Sequence, residues 1–282
     1  MPALETNHIV DTLIEERAGR LRHNRQLWRL IRQVAYPVLG YADARAMADR
    51  IADLGGLEVF DYLSGLLNLN LQASGLPSVP KQGLAFVTPN HPAGIADGIA
   101  VYDALKQVRK DVCFFANRDA VRVASGLTEV IIPVEWKAQQ RSSERQRETL
   151  IAMARAIRAE KLIVLFPSGR MARPSWKGLR ERPWQNTAVK IATKHACPIV
   201  PLHITARNSA LFYLFAVLNE ELRDMSLFRE LLNKQKKSYM LKFGEAIYPD
   251  RAACTPDNFT RSLQHFVETD LKNHRTRFTP TG

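Results

Sequence analysis

The chain has 282 residues, 46% of them hydrophobic and 24% charged, which is enough to bury the core of one large α/β domain with an appendage or of two small domains. Lysine and arginine outnumber aspartate and glutamate by 40 to 28, so a net charge of +12 and a pI near 9.8 call for an anionic partner: nucleic acid, anionic lipid or a phosphorylated substrate. Three cysteines, Cys113, Cys197 and Cys254, are odd in number and far apart, which argues against a disulfide framework and against a zinc cluster and fits a reducing cytoplasm.

The N-terminal segment MPALETNHIVDTLIEERAGR lacks the basic-then-apolar order and the small-residue cleavage site of a secretory signal, so a cytoplasmic location is expected. Next, Arg22, Arg25, Arg29 and Arg32 recur at three- and four-residue steps, while Leu27, Leu30, Ile31 and Val34 gather on another side. This pattern predicts a basic amphipathic helix, either lying on an anionic bilayer or packed on the core with a solvated arginine face. The most apolar stretches, Leu63–Leu71 and Ala210–Leu218, fall short of the roughly 20 residues that span a bilayer. Membrane contact is therefore expected to be peripheral, at the cytoplasmic face of the inner membrane.

Residues 1–80 read as a helical region throughout, and GLPSVPKQG supplies a proline and glycine linker into residues 81–282. From Leu84 onward, short β-rich runs alternate with helical patterns: LAFVT, VCFFAN, EVIIPV, KLIVLF, PIVPLHIT and SYMLKF are the expected strands. That alternation predicts an α/β fold with a mostly parallel or mixed sheet flanked by helices. Ser142–Glu160 has a serine cap, early acidic residues and apolar positions at helical spacing, so a helix should lead into KLIVLF.

The segment FVTPNHPAGIADGIAVYDAL carries the chemistry. A loop at the C-terminal end of a strand in an α/β sheet is active-site territory, and His91 there can take a proton from a hydroxyl or amine if a carboxylate orients it. Asp97 is the local carboxylate. On one continuous helix the two side chains would point about 120° apart, so the backbone must bend, and Pro92 and Gly94 permit it. Spacing alone equally allows Asp97 to be a helix cap and His91 a turn histidine.

NHPAGIADG resembles the histidine–aspartate block of the glycerolipid acyltransferase family, which includes lysophosphatidate and lysophospholipid acyltransferases. The usual block has four residues between histidine and aspartate; here there are five, as in a bacterial branch that includes haemolysin-like and ornithine-lipid acyltransferases. Three more stretches resemble the family's other blocks in order. FFANRDAVRV with VIIPVEW is similar to the acceptor-contacting block, with Arg118 at its arginine. LFPSGRMARPSW is similar to the phenylalanine–proline–glutamate–glycine block, with Ser168 in place of the glutamate and Gly169 after it. CPIVPLHI is similar to the valine–proline strand that walls the acyl pocket. The resemblance spans Leu84 to Ile247.

The resemblance implies direct acyl transfer: His91, oriented by Asp97, deprotonates the acceptor, which attacks the thioester of acyl carrier protein or coenzyme A. Ser168 does not read as a nucleophile, because LFPSG lacks the glycine of a nucleophile elbow. Arg170, Arg173, Lys177, Arg180 and Arg182 form a cationic run offset only by Glu181, and arginine forks suit phosphate or carboxylate. Arg118, Ser168, Gly169, Arg170, Arg173 and Arg207 are therefore the expected contacts to a lysophospholipid or related single-chain anionic lipid. His203 reads as a core histidine. No metal-ligand spacing or nucleotide loop occurs, and no bound cofactor is expected. Two other classes compete: an inactive lipid-binding protein on the same fold, and a nucleic-acid-binding protein, disfavoured by 8% aromatics and the absence of any recognisable motif.

Overall fold

The computed structural model describes residues 7–135, 142–176, 178–250 and 254–279. Four helices come first: α1 (Ile9–Arg17), α2 (Arg25–Val38), α3 (Tyr41–Ile51) and α4 (Gly56–Leu67). The strands are β1 (Asn70–Ser74), β2 (Ala85–Pro89), β3 (Val112–Asn117), β4 (Ile131–Val134), β5 (Leu162–Val164), β6 (Arg173–Ser175), β7 (Gly178–Arg180), β8 (Ile199–Thr205) and β9 (Ser238–Phe243). Between and after them lie α5 (Ile95–Leu105), α6 (Asp119–Val123), α7 (Ser143–Arg158), α8 (Thr187–His195), α9 (Ala210–Leu218), α10 (Glu220–Met225), α11 (Leu227–Leu232) and α12 (Pro256–His265).

Seven strands form one mixed sheet in the order β1-β9-β8-β2-β5-β3-β4, parallel except where β8 meets β9; β6 and β7 make a separate hairpin. All six strands expected from the apolar runs are present. Their near-continuous Val, Ile, Leu and Phe content matches burial on both faces, as in the five-residue β2, every residue of which is buried. The expected helix over Ser142–Glu160 is α7, and Ser142 accepts the Arg145 amide as its cap.

One reading is corrected. The region before Leu84 is not helical throughout: Asn70–Ser74 is a strand, paired in parallel with β9. It was hidden because NLQAS carries polar residues at an exposed sheet edge, where no hydrophobic run is required. The apolar core on one face of the sheet joins Met47, Val59 and Leu63 to Val87, Ile99, Val101 and Leu202, so residues from both sides of the proline–glycine linker pack together. A second layer on the other face gathers Phe86, Ile163, Trp184, Val189 and Phe266. A third cluster, of Val10, Ile14, Trp28, Leu39 and Met225, fastens α1 to α3 onto α10.

Candidate active site

β2 and β5 are parallel neighbours, with Ala85 opposite Leu162 and Val87 opposite Val164. The loop that leaves each strand at its C-terminal end therefore emerges at the same edge of the sheet, and these loops carry the histidine–aspartate segment and the Phe166–Gly169 segment. Asn90 anchors the first loop: its side-chain amide donates to the Ile204 carbonyl (3.0 Å) and its oxygen accepts the Ile204 amide (2.6 Å), extending the β2–β8 pairing by one residue.

The chain then reverses. Gly94 has φ 87° and ψ −137°, a conformation reserved for glycine, and a Cβ there would lie 2.6 Å from the Met171 sulfur. The reversal returns Asp97, in the first turn of α5, to His91. Asp97 Oδ2 accepts from His91 Nδ1 (2.9 Å) and from the amides of Ala93 (2.8 Å) and Gly94 (3.0 Å). The two roles that spacing left open, cap and imidazole partner, belong to one carboxylate oxygen. Asp97 is 0% exposed and His91 8%, so the pair sits in a low-dielectric setting where an ion–dipole contact is strengthened.

With Nδ1 directed to Asp97, the His91 tautomer is set and Nε2 is left for a substrate. The imidazole packs against Phe166, ring centroids 4.3 Å apart and planes tilted by 37°. It lines a cavity of about 1200 Å³ whose lining mixes apolar side chains, including Phe115, Val134, Leu150, Met153 and Ile191, with the cations Arg145, Arg170, Arg182 and Lys190. Such a groove offers apolar surface for an acyl chain and cations for an anionic group. A smaller and more enclosed cavity of about 110 Å³ lies beside Arg170, Met171, Arg173, Phe212 and Arg223 and does not reach His91. Glu135 and Arg170 border both.

The expected binding residues divide. Ser168 is buried and its hydroxyl donates to the Arg170 carbonyl (2.8 Å), while Gly169 at φ 62° closes the turn; both line the large cavity. Arg170 is half-buried there, and its side chain has no salt bridge among the described residues. Arg173 reaches the small cavity and is paired with Glu220 of α10 (2.7 Å). Arg118 and Arg207 are not brought to the groove. Arg118, at the end of β3, is spent on Glu148 of α7, and Arg207 is exposed beyond β8. Lys177 lies outside the described residues.

Of the other groups at and around the site, Arg223 was not singled out by its sequence. Arg223, on α10, faces the small cavity and pairs with Asp224 (2.7 Å). The Arg182 guanidinium is pushed below its ordinary value by burial and by the charges of Arg170, Arg173 and Arg223, so four arginines share one neighbourhood with Glu220. Glu181 is buried, not a solvated counter-charge, and accepts from the His91 amide and from Trp184 Nε1 (2.7 Å). No strand alternation signalled this: β7 ends at Arg180 and is exposed at all three residues, so the burial of Glu181 comes from its partners in space. His203 is buried in the core, its Nδ1 bonded to the Val267 carbonyl (2.8 Å), and burial pushes it down to about 4. The thiols of Cys113 and Cys197 are pushed up by burial, to about 12 and about 11, which makes them poor nucleophiles.

Comparison with known proteins bears on the family. The profile of the family described as "Acyltransferase" matches residues 70–205. A lyso-glycine lipid O-acyltransferase of Phocaeicola vulgatus is 25% identical over 199 residues, covering 68% of this chain and 69% of that protein. A protein of the same name from Bacteroides thetaiotaomicron is 23% identical over 199 residues, covering 68% and 71%. Among solved structures, the 1-acyl-sn-glycerophosphate acyltransferase PlsC of Thermotoga maritima aligns over 96% of this chain and 99% of its own, with a TM-score of 0.46 and 13% identity. The domain match spans both the histidine–aspartate loop and the Phe166–Gly169 turn, and it and the two relatives support the glycerolipid acyltransferase family for this chain.

Proposed function

We propose that the protein transfers a fatty acyl group from the thioester of acyl carrier protein or coenzyme A to a single-chain anionic lipid, with His91 as general base. The observation that carries this reading is the buried His91–Asp97 pair opening onto a cavity lined by apolar side chains and by Arg170, which has no salt bridge among the described residues. The acceptor hydroxyl gives its proton to His91 Nε2 while its oxygen attacks the thioester carbonyl carbon. Asp97 stabilises the imidazolium that results. The carbon–sulfur bond then breaks, and the departing thiolate recovers the proton from His91. No covalent acyl-enzyme is required.

Arg170 supplies the seat for the acceptor's anionic group. Among single-chain lipids with a free hydroxyl, an amino-acid lipid bearing a carboxylate and a lysophospholipid bearing a phosphate both satisfy it; the names of the two relatives favour the amino-acid class for this chain. Turnover is measured with lyso-glycine lipid, lyso-ornithine lipid and lysophosphatidate as acceptors against acyl-thioesters of both carriers. For the preferred acceptor, Arg170→Ala raises KM far more than for the donor and lowers kcat/KM about 10- to 150-fold, the worth of one charge-assisted hydrogen bond. An Arg170→Ala protein that uses anionic acceptors as well as the parent does places the anion elsewhere, next to Arg173 and Arg223.

The reading includes attachment to the cytoplasmic membrane surface. Among the described residues no helix is long and apolar enough to cross a bilayer. α2 packs Trp28, Ile31 and Ala35 inward, with Leu39 just after it, and turns Leu30 (58% exposed), Val34 and Val38 outward. α9 likewise exposes Leu214, Val217 (77%) and Leu218. The ends of the two helices are linked in opposite order through flanking residues: Glu221 of α10, just after α9, accepts the Arg20 and Leu21 amides before α2, and Arg229 of α11 donates to the Val38 carbonyl at the end of α2 and reaches Ser209, the cap of α9. Two apolar stripes flanked by Arg25 and Arg29 suit the headgroup boundary of an anionic leaflet.

A further inference from the structure

We propose that Glu181 is a positioning residue that fixes the main chain of His91, and with it the imidazole, from the foot of the β6–β7 hairpin. The inference rests on the reading of His91 as the base.

In the hairpin, Arg173 pairs with Arg180, so the next residues outward, Ala172 and Glu181, are its two feet. Both hold the same residue. The Ala172 amide donates to the His91 carbonyl (2.8 Å), and the Glu181 carboxylate accepts the His91 amide. His91 is thus held at both of the peptides that flank its Cα by one two-stranded element, while Asp97 and Phe166 hold the ring. The second Glu181 oxygen accepts from Trp184 Nε1, and Trp184 is itself buried, with its amide bonded to Gln264 of α12. The clamp is therefore tied into the second core layer. The peptide between Asn90 and His91 is the one that must not rotate if Nε2 is to keep its aim.

Two N–H donors converge on two oxygens of one side chain, so only a carboxylate satisfies both; an amide would oppose its own NH₂ to one donor. The groups that face Glu181 are few: the His91 imidazole, whose charge favours the carboxylate, and Glu268 after α12, whose charge opposes it. Burial dominates and pushes the Glu181 carboxyl up to about 7, against the pull of the Trp184 and His91 hydrogen bonds. Near neutral pH a proton on Glu181 would turn an acceptor into a donor beneath His91.

The test compares the full-length parent with Glu181→Gln, Trp184→Phe and His91→Ala in steady-state acyl transfer across pH 5.5 to 9, alongside amide exchange of the Asn90–Asp97 segment. Glu181→Gln is expected to lower kcat about 10- to 100-fold, the scale of a misplacement near 1 Å, with KM for both substrates changed less than about threefold. Its Asn90–Asp97 amides should exchange faster. Trp184→Phe, which keeps the aromatic packing and removes one donor, should move the acid limb of kcat to higher pH. If Glu181→Gln does not fold, the Trp184→Phe profile decides. Glu181→Gln at parental kcat, or an unmoved acid limb in Trp184→Phe, overturns the proposal while leaving His91 as the base. An active His91→Ala overturns the underlying reading instead.

Discussion

At Asp97 a single buried oxygen does two jobs. It caps the loop amides of Ala93 and Gly94 and it holds His91 Nδ1, so removing its charge strikes structure and chemistry together. Asp97→Asn is expected to lower kcat about 10²- to 10⁴-fold, the usual scale for disabling a general base, and to cost roughly 1–2 kcal/mol of stability through the cap. Calorimetry and turnover on the same preparation check both; a loss of stability with parental turnover per folded molecule would leave Asp97 as a cap only. His91 and Asp97 were legible in the sequence because a histidine, a bend-permitting proline and glycine, and a carboxylate lie within seven residues. Glu181 was not: it is ninety positions from His91, and in a run of arginines it reads as a solvated counter-charge until the hairpin register is known. Arg118 shows the converse. Its place in a family-like block marked it for the acceptor, but Glu148 on α7, thirty residues away, takes its guanidinium.

The elements show which patterns are self-sufficient. β2, β3, β5 and β8 are buried on both faces and announce themselves as apolar runs, whereas β1 is polar, lies at the edge, and exists because β9 offers it a backbone ladder. The helix expected around Arg22 to Val34 begins only at Arg25, because the chain is extended at Asn24 and leaves Arg22 in a preceding turn, and the cations are partly spent: Arg22 pairs with Glu15 (3.2 Å) and Arg32 with Glu15 (3.5 Å) and Asp11 (3.7 Å). A one-dimensional pattern cannot show that α1 would supply those carboxylates. The apolar segment Ala210–Leu218 of α9 and the amphipathic pattern of α2 were both visible, but the bonds that link their ends were not. Flotation with anionic vesicles is expected to fall sharply at 1 M salt, where the screening length is about 3 Å, and to be abolished by the triple change Leu30→Ser, Val34→Ser and Val217→Ser even at low salt. Flotation indifferent to salt, to anionic lipid and to the three serines would remove the membrane from the account.

Across the whole molecule, the sheet order brings together what the chain separates. β5 lies between β2 and β3, so the loops after β2 and β5 adjoin although some seventy residues divide them in sequence. α10 and the β6–β7 hairpin close over the same edge and contribute Arg223, Arg173 and Glu181. Catalytic geometry, apolar groove surface and cations thus converge at the C-terminal ends of the central strands. In the proposed mechanism His91 removes the proton that starts transfer. The direct test is acyl transfer to the preferred lyso-lipid with purified His91→Ala whose thermal unfolding matches the parent. A fall of about 10²- to 10⁴-fold in kcat with substrate binding retained is expected; turnover within about threefold of the parent would contradict the role of His91 as base.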